Sequence, residues 1–282
     1  MANAGLNRMR FFQGLSRRAA LSGALAGAVA VKGAHAALSG VIPVLTYHRF
    51  DPAFARASTV VTTSVFAGQI DALIARHFRF LRVREVVAAV AGQADFGAGD
   101  RVALSADDGW RTVYTEMFPV IRQRQIPVTL FINPPAISAG SAYLTWAQIE
   151  EMVASGLVDV HPHTLTHPNF GDQRASRTQA AFAAFAEREI LESRRMIEAR
   201  LGGKADILAW PFGIHDSQLE AIAATGGFSA AFTVESRPVT AADPMFALPR
   251  YQVYETDRGG RFAAVADGVP RGQGRRMAAP RL

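Results

Sequence analysis

From residue 41 onward the chain alternates short apolar runs with longer stretches in which apolar side chains return every three to four positions. Val41 to Tyr47 reads as a strand, and Phe66, Ile70, Leu73, Ile74 and His77-Phe78 then mark one helical face. Phe80 to Val83 is a second strand candidate, followed by a short helix through Val86, Val87 and Val90. Arg101 to Ala106 has the unbroken apolar character of a buried strand and runs into Asp107-Asp108-Gly109, after which Val113 to Arg124 is helical in spacing. Pro127 to Ile132 is strand-like, Trp146 to Ala154 helical, and Leu157 to Val160 a strand leading into a group of histidines. Gln179 to Leu201 predicts a long helix with Ile190 and Ile197 inward and Arg and Glu outward, stopped by Gly202-Gly203 as a C-cap. Ile207 to Trp210, Leu219 to Ala224 and Ala230 to Val234 supply a strand, a helix and a last clear strand. Such alternation predicts an α/β fold with parallel strands. No repeat or linker interrupts the roughly 220 residues from Ala37 to Thr256, which suffice for one domain with a substantial core.

The two ends read differently. Within residues 1–36, Ser16-Arg17-Arg18-Ala19-Ala20-Leu21 opens a mildly apolar stretch from Ala19 to Val31, followed by Lys32 and by the small-x-small site Ala34-His35-Ala36. This predicts a signal peptide, with the arginine pair favouring twin-arginine export to the periplasm or beyond. The stretch is too short and too rich in Gly and Ala to span a bilayer, so no stable membrane anchor is expected. Residues 257–282, rich in Arg, Gly, Ala and Pro, predict a basic disordered tail.

The net charge of +6 changes meaning when it is partitioned. Residues 1–36 hold five basic and no acidic residues, and residues 257–282 hold six Arg against two Asp, which leaves −3 for the body. A slightly acidic body gives no reason to expect nucleic acid as partner. With no cysteine there is neither a disulfide nor a thiolate metal site.

The chemistry concentrates in three clusters: Asp107-Asp108-Gly109, His163-Thr164-Leu165-Thr166-His167, and Trp210-Pro211-Phe212-Gly213. Two histidines four residues apart can turn their imidazoles to one point, and a carboxylate from elsewhere completes a facial N,N,O set with open positions, as a catalytic metal requires. The acid pair ends a strand, on the edge where loops of strand-helix repeats converge. One carboxylate can bind metal while the other stays free as a base.

At these residues the chain resembles the polysaccharide deacetylase family, carbohydrate esterase type 4, across nearly its whole length after residue 40. Ser105-Ala106-Asp107-Asp108-Gly109 stands where the family has a Thr-Phe-Asp-Asp-Gly type motif, and His163 to His167 with Pro168 matches its His-(Ser/Thr)-x-x-His motif without a gap. Ala209-Trp210-Pro211-Phe212-Gly213 takes the place of Arg-x-Pro-(Tyr/Phe)-Gly, and Tyr47-His48 looks like the opening of the subgroup that deacetylates poly-N-acetylglucosamine. The resemblance implies a distorted (β/α)7 barrel in which Asp107 is the general base. It implies that Asp108, His163 and His167 hold one divalent metal, expected to be Zn²⁺, and that the Phe212 N–H helps bind the oxyanion. Trp210 and Pro211 become expected substrate contacts, with the Trp210 ring walling the acetyl pocket.

The sequence departs from the pattern at three places. Ala209 stands where many members have an arginine that orients the catalytic aspartate, so the orienting cation comes from elsewhere or Asp107 is held differently. Ala106 replaces the usual aromatic residue. The late Leu-x-x-x-x-His type motif is absent, since no histidine follows His215, which leaves His48, His161 and His215 as imidazoles that could protonate a leaving group. His48 ends the first strand candidate, on the rim that should carry the acid pair, and is the expected general acid. His161, two residues before His163, is expected to support the site or to be solvated rather than to bind metal, while Trp146 and His77 read as ordinary helix residues. The expected activity is removal of acetyl from N-acetylglucosamine-containing polysaccharide. The alternatives are an O-acetyl esterase on xylan or another glycan, and a carbohydrate-binding relative without turnover.

Overall fold

The computed structural model describes residues 40–272, apart from 55, 56, 58 and 98. The expected signal peptide and the last ten residues of the expected tail lie outside the described residues. Seven short strands carry the architecture: β1 (Val44–Tyr47), β2 (Arg101–Asp108), β3 (Val128–Ile132), β4 (Val158–Pro162), β5 (Ile207–Ala209), β6 (Ala230–Phe232) and β7 (Tyr251–Gln252). β7, β1, β2, β3 and β4 pair in that order, all parallel, and β5 pairs parallel with β6. A parallel bridge between Phe232 and Leu248 brings the segment before β7 onto β6 and closes the ring on that side.

At the seam between β4 and β5, side chains make the connection. The Ile207 N–H donates to His161 Nδ1 at 3.3 Å, and His163 Nδ1 lies 2.7 Å from the Ala209 carbonyl oxygen. The result is the distorted (β/α)7 barrel, wrapped by α1 (Thr63–Ala75), α2 (Val83–Val90), α3 (Phe118–Arg124), α4 (Trp146–Ala154), α5 (Phe170–Ala175), α6 (Gln179–Leu201), α7 (Ser217–Thr225) and α8 (Gly259–Ala266).

Strand alternation divides the core in two. Val44, Ala103, Phe131, Ile207, Ala209, Ala230, Phe232 and Leu248 fill the barrel interior. Their neighbours Leu45, Leu104, Leu130, Ile132 and Val160 face outward onto helix residues such as Phe66, Ile70, Ile121 and Ile149. Both faces are buried, which is why these strands read as unbroken apolar runs.

Several boundaries move for local reasons. Pro43 has no N–H to give a ladder, so Val41–Ile42 separates from β1 and pairs antiparallel with Val239–Thr240. The run from Val113 to Arg124 splits into a π turn, Val113–Met117, and α3, because Pro119 cannot donate to the turn before it. His77 is not a helix residue: it leaves α1 at φ 61°, where its N–H meets the Ile74 carbonyl at 2.9 Å and the Phe78 N–H meets that of Leu73 at 3.0 Å, a Schellman end. Ile74, expected inward, is 42% exposed. The tail expected to be disordered from Asp257 is ordered as far as Gly272. Phe262, Val265 and Ala266, spaced as one helical face, bury α8 against the core, and Arg271 pairs with Asp257 at 2.7 Å.

Candidate active site

β2 delivers both acids to one mouth by breaking its own alternation. In a regular strand Asp107 and Asp108 would face opposite sides, but Asp108 adopts φ 73° and Gly109 φ 77°. This left-handed turn brings the second carboxylate round to the mouth. At this φ any side chain at Gly109 would be strained, and its Cβ would stand 2.7 Å from Ile137 Cδ1, which would have to move aside.

The histidines reach the same mouth from the loop after β4. The His163 N–H donates to the Ile132 carbonyl at 2.8 Å, and the buried Asn133 amide donates to the carbonyls of His163 and Thr164 at 2.6 and 3.1 Å. Glu189, fully buried on α6, takes the Thr166 N–H at 2.7 Å and its hydroxyl at 2.9 Å, while its backbone carbonyl takes the Leu165 N–H. Held in this way, Thr164 and His167 sit at φ 66° and 54°, backbone that L-residues adopt at a cost.

Asp108 Oδ1 lies 3.7 Å from His163 Nε2 and 3.5 Å from His167 Nε2, and one donor atom from each residue falls within 4.8 Å of the others. Two donors bound tetrahedrally at about 2.0–2.1 Å from a zinc ion stand roughly 3.3 Å apart, so the spacing fits a divalent metal. The tautomer fits as well. A backbone carbonyl only accepts, so His163 Nδ1 must carry the proton that meets Ala209 O, which leaves Nε2 with a bare lone pair. Burial pushes the His163 pKa down to about 4, against the opposing pull of Asp107, which keeps the ring neutral and able to coordinate.

Asp107 lies beside this triad, its Oδ2 3.8 Å from His163 Nε2, and is held by a residue that motif reading did not single out. Arg250, fully buried just before β7, forms a bidentate pair with Asp107, 2.8 Å to each oxygen. Its remaining donors reach Thr46 and Ser105 hydroxyls at 3.2 Å and the Thr233 carbonyl at 3.1 Å. The orienting cation that Ala209 cannot supply therefore comes from the segment just before β7. Burial alone would raise the Asp107 pKa, but Arg250, then His163 and His48, outweigh it and hold the group well below the usual carboxylate range. Asp108 is likewise lowered: burial opposes, and His48, His163 and His167 prevail.

His48 follows β1 directly, and with Tyr47 in register with Ala106 it stands on the same rim as the two acids. Phe212, at φ 57° in the turn Pro211–Gly213, is 43% exposed, with its ring edge-on to His167 at 4.7 Å. A Cβ at Gly213 would meet the Val234 backbone nitrogen at 2.9 Å, so the glycine is what lets this turn sit against the next strand.

Trp210 and Pro211, expected at the substrate, are both buried. The Trp210 indole N–H is taken by the Phe246 carbonyl at 2.8 Å and its ring packs in an outer cluster with Phe170 and Leu219, so the pair shapes the turn and offers no open wall. His161 lies buried inside the barrel, away from the three candidate ligands, with Nε2 3.4 Å from Asp159. His215 is occupied by Glu220 at 2.7 Å.

Residues 97–231 match the family model described as polysaccharide deacetylase. The chain carries a polysaccharide deacetylase domain. It is 26% identical over 198 residues, 68% of each chain, to a poly-β-1,6-N-acetyl-D-glucosamine N-deacetylase of Staphylococcus epidermidis. Among solved structures, IcaB from Ammonifex degensii is similar with a TM-score of 0.70 at 29% identity, covering 81% of this chain and 98% of that one. The Streptococcus pyogenes deacetylase PplD in complex with acetate shares the fold, with a TM-score of 0.71 at 21% identity over 80% of this chain and 98% of its own.

Proposed function

We propose that this protein removes acetyl groups from N-acetylglucosamine-containing polysaccharide, with one divalent metal, zinc, held by Asp108, His163 and His167. One observation carries the reading: a second carboxylate, Asp107, sits beside the three-ligand face without belonging to it and is fixed by a buried bidentate arginine. A module that only bound sugar would have no use for that arrangement. The metal, when bound, supplies Lewis acidity to a water and to the acetyl carbonyl.

The residues of the chain do the rest. Asp107, kept ionised across neutral pH by Arg250, accepts the proton of the attacking water as its oxygen bonds to the acetyl carbon. The Phe212 N–H receives the charge that develops on the carbonyl oxygen. His48 gives its proton to the departing amine as the C–N bond breaks, and acetate and the free amine leave. Phe212 beside His167 lends the mouth an apolar edge suited to the acetyl methyl.

The test is acetate release from N-acetylated and from O-acetylated oligosaccharides, with and without chelator. Release from the N-acetylated substrate that stops on chelation and returns with zinc is expected. Release from O-acetylated xylan alone would move the protein to the esterases, and no release from metal-loaded protein would leave a binding relative. We further propose that the protein works outside the cytoplasm, on the strength of the Arg17-Arg18 leader; a reporter fused to residues 1–40 should lose export when both arginines become lysine. No helix among the described residues is long and apolar enough to cross a membrane.

A further inference from the structure

Trp110 is half-buried at the mouth, immediately after the acid-pair turn. Its indole N–H donates to Asp108 Oδ2 at 2.9 Å, while Asp108 Oδ1 is the oxygen that faces the two histidines. The carboxylate is thereby divided, one oxygen engaged by the indole and the other turned toward the imidazoles.

The indole is itself clamped. The Arg49 guanidinium lies 3.5 Å from its ring centroid, and the Tyr143 ring stacks on it at 4.7 Å with an interplanar angle of 18°. Two groups so close to one ring would collide if they shared a face, so they cover opposite faces. Trp110 is therefore closed to a sugar ring on both sides, and its edge is the part that acts. The backbone repeats the connection: Trp110 bridges antiparallel to Tyr143, and the Arg111 and Leu144 N–H groups meet the Ala142 and Gly109 carbonyls at 2.9 Å. The clamp joins the chain after β1, the turn after β2 and the loop before α4.

We propose that Trp110 is a positioning residue for the metal site, fixing Asp108 so that a single oxygen is presented to the ion, with Arg49 and Tyr143 holding the indole in place. The inference rests on reading Asp108, His163 and His167 as the metal ligands. Hydrogen bonds of this kind to a ligating carboxylate typically contribute 10–100-fold in metal affinity or activity.

Trp110→Phe keeps the stacked ring and removes only the donor. Zinc affinity of the purified protein, measured by competition with a chromophoric chelator, should weaken about 10–100-fold in this variant, with its melting temperature in the metal-free state close to that of the parent. The parent provides a second readout that does not depend on how the variant folds. Its Trp110 indole N–H resonance, assigned by NOE contacts to Tyr143, should move during a zinc titration. Zinc binding equally tight in Trp110→Phe, or an indole resonance unmoved in a parent that takes up zinc, overturns the inference and leaves the metal site standing. A parent that takes up no zinc overturns the metal-site reading itself.

Discussion

Arg250 and Asp107 meet across 143 positions of sequence, inside the barrel and out of water's reach. A buried pair of this kind contributes less as a pair than its loss costs, because removing one partner strands the other. Arg250→Leu should therefore destabilise the fold by about 3–5 kcal/mol in urea unfolding and abolish turnover. Adding Asp107→Leu to the same chain should restore most of the stability and none of the turnover. A double variant no more stable than Arg250→Leu would show that the arginine acts through its hydroxyl and carbonyl contacts, not through Asp107. His48 is tested separately. A general acid supplies on the order of 10²–10⁴-fold in rate, so His48→Ala should lower kcat by that factor while metal content and melting temperature hold. If kcat survives in His48→Ala and falls in His215→Ala, the acid is His215, freed from Glu220 when substrate binds. The three candidate ligands, which the structure brings together, could be named from the sequence because they lie in contiguous motifs, while the division of roles between Asp107 and Asp108 came from the family resemblance. Arg250, Asn133 and Glu189 were not, because a lone arginine, asparagine or glutamate has no pattern until the strands and α6 stand in register around it.

At the scale of elements, periodicity found what was long enough to show a period. The α4 and α6 boundaries agree with the apolar spacing, and β2 to β6 appear within a few residues of where the runs predicted them. β7, with two residues, has no period to read, and it is the strand that completes the ring beside Arg250. The seam between β4 and β5 was equally hidden, since histidine side chains at β4 replace strand pairing there. His161 belongs to this seam. Its Nδ1 accepts from Ile207, and at its other nitrogen stands Asp159, which also takes the Thr129 hydroxyl at 2.8 Å and faces Arg84 from α2. Burial would raise the Asp159 pKa, yet His161, Thr129 and Arg84 together lower it. The sign follows directly. Where the unfolded chain binds the proton more readily than the folded one, stability rises with pH. The contribution of Asp159 should be complete above about pH 4, the ordinary aspartate value, and fade as pH falls further. Asp159→Asn should thus lower stability at neutral pH by about 1–3 kcal/mol and flatten the acid limb of the stability profile below about pH 4. An unchanged acid limb in urea titrations would assign the loss to other carboxylates.

At the scale of the whole molecule, composition misled where topology decides. The segment after Asp257 has the Arg, Gly and Pro content of a solvated tail, and averaging over it hides the Phe262, Val265 and Ala266 face of α8. That face packs in the same cluster as Phe66, Ile70 and Leu73 of α1 and as Leu45 of the first strand. Asp257 ties the junction from both sides. Its carboxylate takes Arg271 at 2.7 Å and the Tyr254 N–H at 2.8 Å, and its carbonyl takes the Gln69 amide at 2.7 Å, whose own oxygen receives the Tyr47 hydroxyl beside His48. The C-terminal segment therefore braces the strand that presents the proposed general acid. A chain ending at Thr256, where the sequence alone places the domain boundary, should lose about 1.5–3 kcal/mol for each of Phe262 and Val265 relative to one ending at Gly272. Against a net stability of roughly 5–15 kcal/mol this is a large fraction, equivalent to a drop on the order of 10 °C in melting temperature. Circular-dichroism melts of the two chains measure it directly. If the shorter chain melts within about 2 °C of the longer one, α8 adds nothing to the core that matters for stability, and the domain ends where the composition said it did.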